Sequence, residues 1–280
     1  MNGIFRKIVI VFALSPPIKK AVSLTNNSLR SIIPLFRISI NDQIFFAHTF
    51  DRVIALFLLK LGILEKKEMD LFKKTIKKRW TVLDIGANIG YPSLLFSKLV
   101  GKSGKVIAFE PDKNNIKILK KNIKANNIQN IKVVPKAASN RTGVGTLYIS
   151  DSHSGDHRIY SSGEKRKTQT IKIISLDDYF KPKTRVDFIQ MDVQGAEELV
   201  FKGMKRLLNE NKKINILLEF WPDGLMKIGS SPLVFLKMIE DFGFQIKHMD
   251  ERSGKLIKIS VNDCMKMSKK GYDMSIFLMR

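Results

Sequence analysis

From Trp80 onward, short apolar runs alternate with longer segments in which apolar residues recur every three or four positions. Short apolar runs are typical of buried strands, and the longer period is typical of helices that cover one face of a sheet. This alternation predicts an α/β fold in which a mostly parallel sheet carries helices on both faces. The predicted strands cover residues 82–85, 104–110, 131–134, 185–191, 214–220, 244–249 and 274–279, the last of them antiparallel, and helices are predicted over 112–127, 196–208 and 232–242.

The segment before the first of these strands has a different pattern. Residues 36–40 and 43–47 alternate in polarity on either side of an Asn41-Asp42 turn, which predicts a β-hairpin. Apolar positions at helical spacing then predict two amphipathic helices, over 50–61 and 65–78. These elements could cover a cofactor cleft and shape an acceptor pocket, or they could form a purely structural cap.

The N-terminal apolar run, residues 8–14, is followed at once by Pro16-Pro17. A run of this length cannot cross a bilayer, which needs about 20 apolar residues, and proline stops a helix. The run is therefore expected to pack as a helix on the domain or on a membrane surface rather than to act as a cleaved signal. The pattern thus predicts an N-terminal accessory or cap region over residues 1–64 and a Rossmann-like domain over 65–280.

The strand at 82–85 leads into a glycine turn, Asp84-Ile85-Gly86-Ala87-Asn88-Ile89-Gly90, and then into a helix. Gly86 and Gly90 can take a positive φ and let a ligand approach the backbone, beside the unpaired N–H groups of the helix N-terminus. A dinucleotide-binding turn reads Gly-x-Gly-x-x-Gly, whereas here Asp84 would repel a diphosphate and could pair with an ammonium group. The turn predicts S-adenosyl-L-methionine as the cofactor. A nicotinamide or flavin, or a degenerate turn that binds nothing, are the alternatives.

Two further positions fit an adenosine ligand. Glu110 ends the second strand, where a carboxylate can accept hydrogen bonds from both ribose hydroxyls. Small residues at 135–139, after the third strand, leave room for a flat base, although an ordinary tight loop would have the same composition. The predicted cofactor-binding residues are Asp84, Gly86, Ala87, Asn88, Gly90, Glu110, Ala137 and Asp192.

Two alternating segments, 144–150 and 168–174, flank a polar loop that contains His153 and His157. The pattern is that of a β-excursion, and its loop is interpreted as an active-site loop rather than a plain surface hairpin, because function is often carried by loops on a rigid sheet. The predicted catalytic residues are His157 and Asp192. Asp192 lies at the carboxyl end of a central strand, where open α/β sheets bind ligands. No metal site is predicted, and a divalent ion between Asp192 and Glu219 is the weaker option.

Composition changes this picture in two ways. Cys264 is the only cysteine, so an intrachain disulfide and a cysteine-rich zinc site are excluded. Cytoplasmic residence is therefore the expectation. The net charge of +23 is spread along the chain and leaves peripheral membrane contact open. Nucleic acid is disfavoured as a substrate because the sequence has no zinc knuckle, aromatic RNA-binding signature or Arg-rich arm. Nothing here predicts an oligomeric state.

Four motifs in this order resemble the FkbM family of methyltransferases: Asp84 to Gly90, Phe109-Glu110-Pro111, Met191 to Glu197, and Leu218-Glu219. The resemblance covers about residues 65–220. It implies a class I methyltransferase fold, with a mostly parallel seven-stranded sheet, that binds S-adenosylmethionine and methylates oxygen atoms of sugars, glycans or natural products. In that family the third motif usually has glutamate where this chain has Gln194, a departure expected to alter the acceptor pocket.

The working hypothesis is an S-adenosylmethionine-dependent O-methyltransferase acting on a sugar hydroxyl of a glycan, glycolipid or secondary metabolite. Methyl transfer to oxygen is an in-line displacement, so the enzyme mainly aligns the reactants and excludes water. A general base then accepts the hydroxyl proton. The alternatives are a nicotinamide-dependent reductase and a non-catalytic accessory protein that binds polyanions through its lysines.

Overall fold

A twisted sheet organises the chain in the computed structural model, which describes residues 35–40, 43–48, 66–151, 153–250, 255–268 and 273–280. Among these residues the sheet has eight strands in the order β5-β4-β3-β9-β10-β13-β11-β12. The five strands from β5 to β10 are parallel, whereas β13 is antiparallel to both of its neighbours. The strands of this sheet are β3 (Thr81–Ile85), β4 (Lys105–Phe109), β5 (Ile131–Val134), β9 (Phe188–Met191), β10 (Asn215–Phe220), β11 (Gln245–Met249), β12 (Leu256–Lys258) and β13 (Met274–Met279).

The order of the strands reverses between β3 and β9, which lie side by side although they are distant in sequence. Open α/β sheets bind ligands at the carboxyl ends of the strands on either side of such a reversal. Helices pack on both faces of the sheet. The described helices are α1 (Lys66–Thr75), α2 (Tyr91–Val100), α3 (Lys113–Ala125), α4 (Leu176–Tyr179), α5 (Glu197–Lys202), α6 (Lys205–Glu210), α7 (Pro222–Lys227), α8 (Pro232–Asp241) and α9 (Val261–Met267).

Each face of the sheet has its own hydrophobic core, because successive side chains of a strand point to opposite faces. Leu83 and Ile189 belong to one core, whereas Val82 and Phe188 belong to the other. The second core contains an edge-to-face contact between the rings of Phe188 and Phe96, whose centroids are 6.1 Å apart. Burial on both faces explains why these central strands are continuously apolar in the sequence.

A second, three-stranded sheet forms the predicted β-excursion. It consists of β6 (Ala137–Ala138), β7 (Gly143–Ile149) and β8 (Lys167–Ile174), in the order β6-β8-β7. β7 and β8 are antiparallel over their whole length, as the alternating segments predict. The backbone of Arg158 pairs with that of Tyr148, so the loop between the two strands folds back on β7.

The predicted N-terminal hairpin is present as β1 (Leu35–Ile40) and β2 (Gln43–His48), paired in antiparallel register. Asn122 of α3 and Asn126, the residue that follows this helix, hold β2. The Asn122 side chain bonds to the N–H and the C=O of Phe46, and the Asn126 side chain bonds to those of Ile44. The hairpin therefore packs on the outside of α3. The Asn41-Asp42 turn, the predicted helix at 50–61 and the N-terminal run lie outside the described residues, and the division at residue 64 stays a prediction.

Two sequence predictions differ from the structure in detail. The helix predicted over 196–208 is interrupted between α5 and α6, because Gly203 packs against β6: a Cβ at position 203 would lie 2.0 Å from the carbonyl oxygen of Ser139. The Asp177 carboxylate then accepts hydrogen bonds from the backbone N–H groups of Arg206 and Leu207 in α6. The sheet also has an eighth strand, β12, at its edge. The predicted α/β class I methyltransferase architecture is otherwise confirmed.

None of the helices formed by the described residues is both long and apolar enough to cross a membrane.

Candidate active site

A cleft opens where β3, β4 and β9 end, at the reversal of strand order. The space inside it, counted together with the open solvent at its mouth, is about 610 Å³. One part of its wall is apolar and the other carries hydrogen-bonding groups. The apolar lining residues are Ile85, Phe109, Pro111, Ala137, Ala138, Leu147, Ile159, Val193 and Ala196, and the polar ones are Asn88, Glu110, Asn115, Ser154, His157, Asp192 and Gln194, with Gly86 and Gly155 completing the surface.

The glycine turn forms the base of the cleft. The N–H groups of Gly86 and Ala87 both donate to the carbonyl oxygen of Phe109, which ties the turn to the end of β4. Gly86 has φ 88° and Gly90 has φ 90°, a region that favours glycine. Protein packing also requires these glycines, since a Cβ at 86 would lie 1.9 Å from the Asp192 carbonyl oxygen and one at 90 would lie 2.2 Å from Leu119 Cδ1. Gly86 lines the cleft and Gly90 is not among its lining residues; the role of both glycines toward a ligand stays a prediction.

Glu110 lies in the cleft as predicted, with its carboxylate already oriented. Its Oε2 accepts a hydrogen bond of 2.8 Å from the N–H of Asn88, and its Oε1 accepts one of 2.8 Å from the N–H of Asp112. Each carboxylate oxygen has a further lone pair. Burial raises the pKa of Glu110 to about 7, although these two hydrogen bonds oppose the rise. A pair of hydroxyl donors would complete the hydrogen bonding of this group.

The surroundings of Glu110 fit the adenosine part of the predicted cofactor. Ala137 and Ala138 are buried in β6, which follows β5 along the chain, and Leu147 and Ile159 of the β-excursion line the same space. These small and branched side chains leave an apolar slot beside the carboxylate. A flat base in the slot and a ribose on Glu110 therefore match the residues that are present, and the base-binding role of 135–139 stays a prediction.

Asp84 is not in the cleft, contrary to the sequence prediction. Its neighbours in β3, Leu83 and Ile85, point into the core on one face of the sheet. The Asp84 side chain therefore points to the other face, toward α2, where its carboxylate accepts a hydrogen bond from the Ser93 hydroxyl. The residue is 1% exposed, and burial raises its pKa to about 7. Ala87 is likewise buried in a core and does not line the cleft. Asp84 therefore joins the turn to α2, and a role in holding the cofactor stays a prediction.

Asp192 and Gln194 line the other end of the cleft, and the Gln194 amide joins the Asp192 carboxylate to that of Glu219, which is not among the lining residues. Gln194 Nε2 donates to Asp192 Oδ1 over 2.7 Å and to Glu219 Oε2 over 2.9 Å. The Tyr160 hydroxyl donates to the Gln194 carbonyl oxygen over 2.7 Å, which supports a backbone held at φ 53°. Burial raises the pKa of Asp192. Burial also raises the pKa of Glu219, and the nearby carboxylates of Asp192 and Asp273 raise it further. A glutamate at 194 would replace this bridging donor by a third carboxylate.

The polar loop of the β-excursion reaches across the cleft, as the active-site interpretation predicts. Ser154 Oγ donates to Asn88 Oδ1 over 3.4 Å, and Asn115 Nδ2 donates to the Ser154 carbonyl over 3.3 Å. The loop is braced at its far end by Asp156, which forms ion pairs of 2.6 Å with both Arg158 and Arg166. The loop therefore connects the glycine turn to the first turn of α3 and covers the space between them.

His157 lines the cleft, where one of its ring nitrogens is already engaged, and its catalytic role stays a prediction. Its Nδ1 accepts a hydrogen bond of 3.1 Å from the backbone N–H of Ser150. A neutral imidazole that accepts at Nδ1 carries its hydrogen on Nε2. His157 is therefore oriented to donate at Nε2 and would have to give up the Ser150 bond to accept a proton. Asp192, the second predicted catalytic residue, does line the cleft.

Across the described ranges, no group of three or more His, Cys, Asp or Glu side chains is arranged to hold a metal ion.

Comparison with known proteins places this geometry in context. The family model described as the methyltransferase FkbM domain matches residues 84–246. A probable cobalt-precorrin-6B C(15)-methyltransferase (decarboxylating) of Sulfurisphaera tokodaii is 26% identical over 131 residues, which are 44% of this chain and 68% of that protein.

Two solved structures can be set beside this chain. The FkbM methyltransferase from Methylobacillus flagellatus is 15% identical, with a TM-score of 0.42, over 84% of this chain and 56% of its own. A putative methyltransferase from Streptococcus mutans in complex with SAH is 11% identical, with a TM-score of 0.46, over 76% of this chain and 94% of its own.

Proposed function

The chain belongs to the FkbM methyltransferase family, and we propose that it transfers a methyl group to a sugar hydroxyl of a glycan, glycolipid or secondary metabolite. The enzyme class predicted from the sequence, a methyltransferase that uses S-adenosylmethionine, is confirmed at this level. A nicotinamide-dependent reductase is set aside by the same family match. The nature of the acceptor is the part that is proposed.

The character of the cleft lining is the observation that supports a neutral, hydroxyl-rich acceptor. None of the described residues that line the cleft is lysine or arginine, although the chain contains 49 of them. An acceptor that carries phosphate or carboxylate groups would meet Asp192 at its end of the cleft with no lysine or arginine among the lining residues to compensate, which costs free energy in a buried site. Amide, hydroxyl and carboxylate groups, by contrast, pair well with the hydroxyls of a sugar. Nucleic acid, with its phosphates, remains disfavoured.

The two ends of the cleft would bind different reactants, the cofactor at one end and the acceptor at the other. When bound, S-adenosylmethionine supplies an electrophilic methyl group on a sulfonium that leaves as a neutral thioether. Glu110 and the apolar slot beside Ala137 would hold its adenosine part, which leaves the Asp192 end for the acceptor. The loop that carries Ser154 and His157 covers the cleft and limits the access of water, and alignment of two reactants in a closed site accounts for most of the acceleration expected of such a displacement.

Transfer of labelled methyl groups from S-adenosylmethionine into fractionated host extracts tests this proposal. The expected result is label in neutral glycan, glycolipid or small-metabolite fractions, as methyl ethers that resist the mild alkali that cleaves methyl esters. The Glu110→Ala variant serves as the control, since its weakened cofactor binding should reduce all enzyme-dependent label. Label confined to RNA or protein would contradict the proposed acceptor, and the absence of any transfer would favour the non-catalytic accessory protein.

A further inference from the structure

The outer face of α3 carries a row of lysines that do not line the cleft. All five lysines of this helix are exposed, and at 3.6 residues per turn they fall within about 100° of its circumference. The opposite side of the helix is buried through Ile118 and Leu119. We call these five residues the α3 lysine stripe: Lys113, Lys117, Lys120, Lys121 and Lys124.

No carboxylate of the described residues forms an ion pair with the stripe. The helix itself contains no Asp or Glu. Lysines of other helices do have such partners one turn away, as Lys73 has Asp70 and Lys202 has Glu198. Like charges three or four residues apart repel and weaken a helix. The stability of α3 therefore does not account for the stripe.

The lack of acidic residues extends beyond the helix. Residues 113–150 contain eight Lys and Arg and no Asp or Glu. The whole chain has 26 Asp and Glu in 280 residues, so a segment of 38 residues at that frequency would contain three or four. A general preference for lysine would not remove the acidic residues from one segment. The exposed Arg37 adds to the same surface, since it pairs across the hairpin with Phe46, and Lys121 Nζ lies 4.0 Å from the centroid of the Phe46 ring.

The shape and chemistry of the stripe fit a flat anionic surface. It is straight and about 17 Å long at 1.5 Å per residue, and lysine offers point charges rather than the forked contacts of arginine. Proteins that read nucleic acid usually add arginines on base edges or aromatic rings on which bases stack. The stripe has neither, and the Phe46 ring beside it is covered by the Lys121 ammonium group.

We propose that the α3 lysine stripe binds the headgroups of anionic phospholipids at a membrane surface. This binding goes beyond the proposed methyl transfer and does not depend on it. Each lysine held at an anionic membrane contributes about fivefold in affinity, and the attraction is screened by salt. Pro111 and Asn115, at the start of α3, line the cleft, so lipid binding would hold the cleft near the membrane.

Sedimentation of the full chain with lipid vesicles tests the proposal. Wild-type protein should bind vesicles of phosphatidylcholine and phosphatidylserine, should not bind vesicles of phosphatidylcholine alone, and should be released by high salt. The variant that combines Lys117→Gln, Lys120→Gln and Lys124→Gln should bind about a hundredfold more weakly. Arginine at the same three positions keeps the charge and should keep the wild-type affinity.

The matched control removes three lysines from the opposite side of the sheet. Lys181→Gln, Lys205→Gln and Lys213→Gln change the net charge by the same amount, at exposed positions in and beside α6. Leu207 and Leu208 of α6 belong to the core on the face that α3 does not cover. This variant should bind anionic vesicles within about threefold of wild type, because charges held away from the membrane are screened. Circular dichroism checks that each variant is folded.

A second measurement uses the wild-type protein alone. Acetylation of lysines, followed by mass spectrometry, should be slowed at the stripe by anionic vesicles and unchanged at Lys181, Lys205 and Lys213. The proposal is wrong if wild-type protein does not bind anionic vesicles, if the two glutamine variants bind alike, or if the stripe stays fully reactive on vesicles. RNA that displaces the vesicles and protects the stripe more strongly would assign this face to nucleic acid instead. Vesicle binding without any methyl transfer would contradict the proposed function and leave this inference standing.

Discussion

Substitution of Glu110 by glutamine is the sharpest test of the cofactor site. The carboxylate accepts one backbone N–H on each oxygen, from Asn88 and Asp112, both over 2.8 Å. Glutamine keeps the shape of the side chain but replaces one oxygen by an NH₂ group, which would face a backbone donor. The variant therefore loses one internal hydrogen bond and the negative charge, whereas Glu110→Ala loses both internal bonds.

The magnitude follows from the hydrogen bonds that a ribose would make to this group. A hydrogen bond to a charged partner contributes about 1.5–3 kcal/mol, and each 1.4 kcal/mol is about tenfold in affinity. We therefore expect Glu110→Gln to weaken S-adenosylhomocysteine binding by roughly ten- to a hundredfold at pH 8. Glu240→Gln, the same change at an exposed position on α8, should leave the affinity unchanged.

The affinity for S-adenosylhomocysteine should also depend on pH, in a direction set by the pKa of Glu110. Burial raises the pKa of Glu110 to about 7, so the group is protonated below that pH and ionised above it. Hydroxyl donors favour the ionised form, and binding should tighten as the pH rises through about 7 and then level off. Below pH 7 the affinity should fall by up to about tenfold per pH unit, with release of a proton on binding.

Calorimetric titration with S-adenosylhomocysteine, in buffers of different ionisation heat at pH 6.5 and pH 8, measures both the affinity and the released proton. The Glu110→Gln variant should bind weakly at both pH values and release no proton. Wild-type affinity in this variant would remove Glu110 from the cofactor site. Weakened binding that still releases a proton would assign the titration to another carboxyl group of the cleft, with Asp192 the first to examine.

Three further predictions concern the support of the site. Burial raises the pKa of Asp84 to about 7, so the folded protein favours the protonated carboxyl and its stability falls as the pH rises from about 4 to about 7. In urea denaturation, the free energy of unfolding of Asp84→Asn should exceed that of wild type by up to roughly 4 kcal/mol at pH 8 and match it near pH 4. Gly86→Val should lower the melting temperature and abolish S-adenosylhomocysteine binding together, because its Cβ would collide with the Asp192 carbonyl oxygen; a variant that folds and binds normally would contradict the turn geometry. Asn126→Ala should speed hydrogen exchange in β2 while cofactor affinity stays at the wild-type value, since the hairpin does not line the cleft.

Local signals in the sequence predicted most of the sheet and its helices. Strand β5 matches its predicted range, 131–134, because a short apolar run lies between polar and proline-containing segments. Asp112 begins α3 as expected, with its side chain accepting from the N–H groups of Asn114 and Asn115. Pro92 in the first turn of α2 is a similar marker. Each of these signals acts within a few residues along the chain.

The features that the sequence did not predict depend on contacts between distant segments. The break between α5 and α6 comes from the approach of Gly203 to Ser139, which no local pattern records. The orientation of His157 was not predicted either: its Nδ1 accepts a hydrogen bond from the backbone N–H of Ser150, just after β7, and this contact depends on how the loop folds back. One local signal was missed. Successive side chains of a strand point to opposite faces, so Asp84 points away from the face of Ile85, and Ile85 is the residue that lines the cleft.

The distribution of charge links the stability of the protein to its ligand. Buried carboxyl groups with raised pKa values destabilise the fold at neutral pH, and Glu110 and Asp192 are two of them that a ligand can reach. A ligand that offers hydroxyl donors at one end and positive charge near the other would reduce both penalties, and it would stabilise the folded state by an amount that grows with the logarithm of its affinity. An anionic ligand would raise the free-energy cost of these buried carboxylates, because its negative charge repels theirs. The protein as a whole carries a charge of +23, so long-range attraction of polyanions to its surface and selection against them inside its cleft act in opposite directions. The acceptor should accordingly be chosen by the short-range hydrogen bonds of the Asp192, Gln194 and Glu219 group rather than by the overall charge.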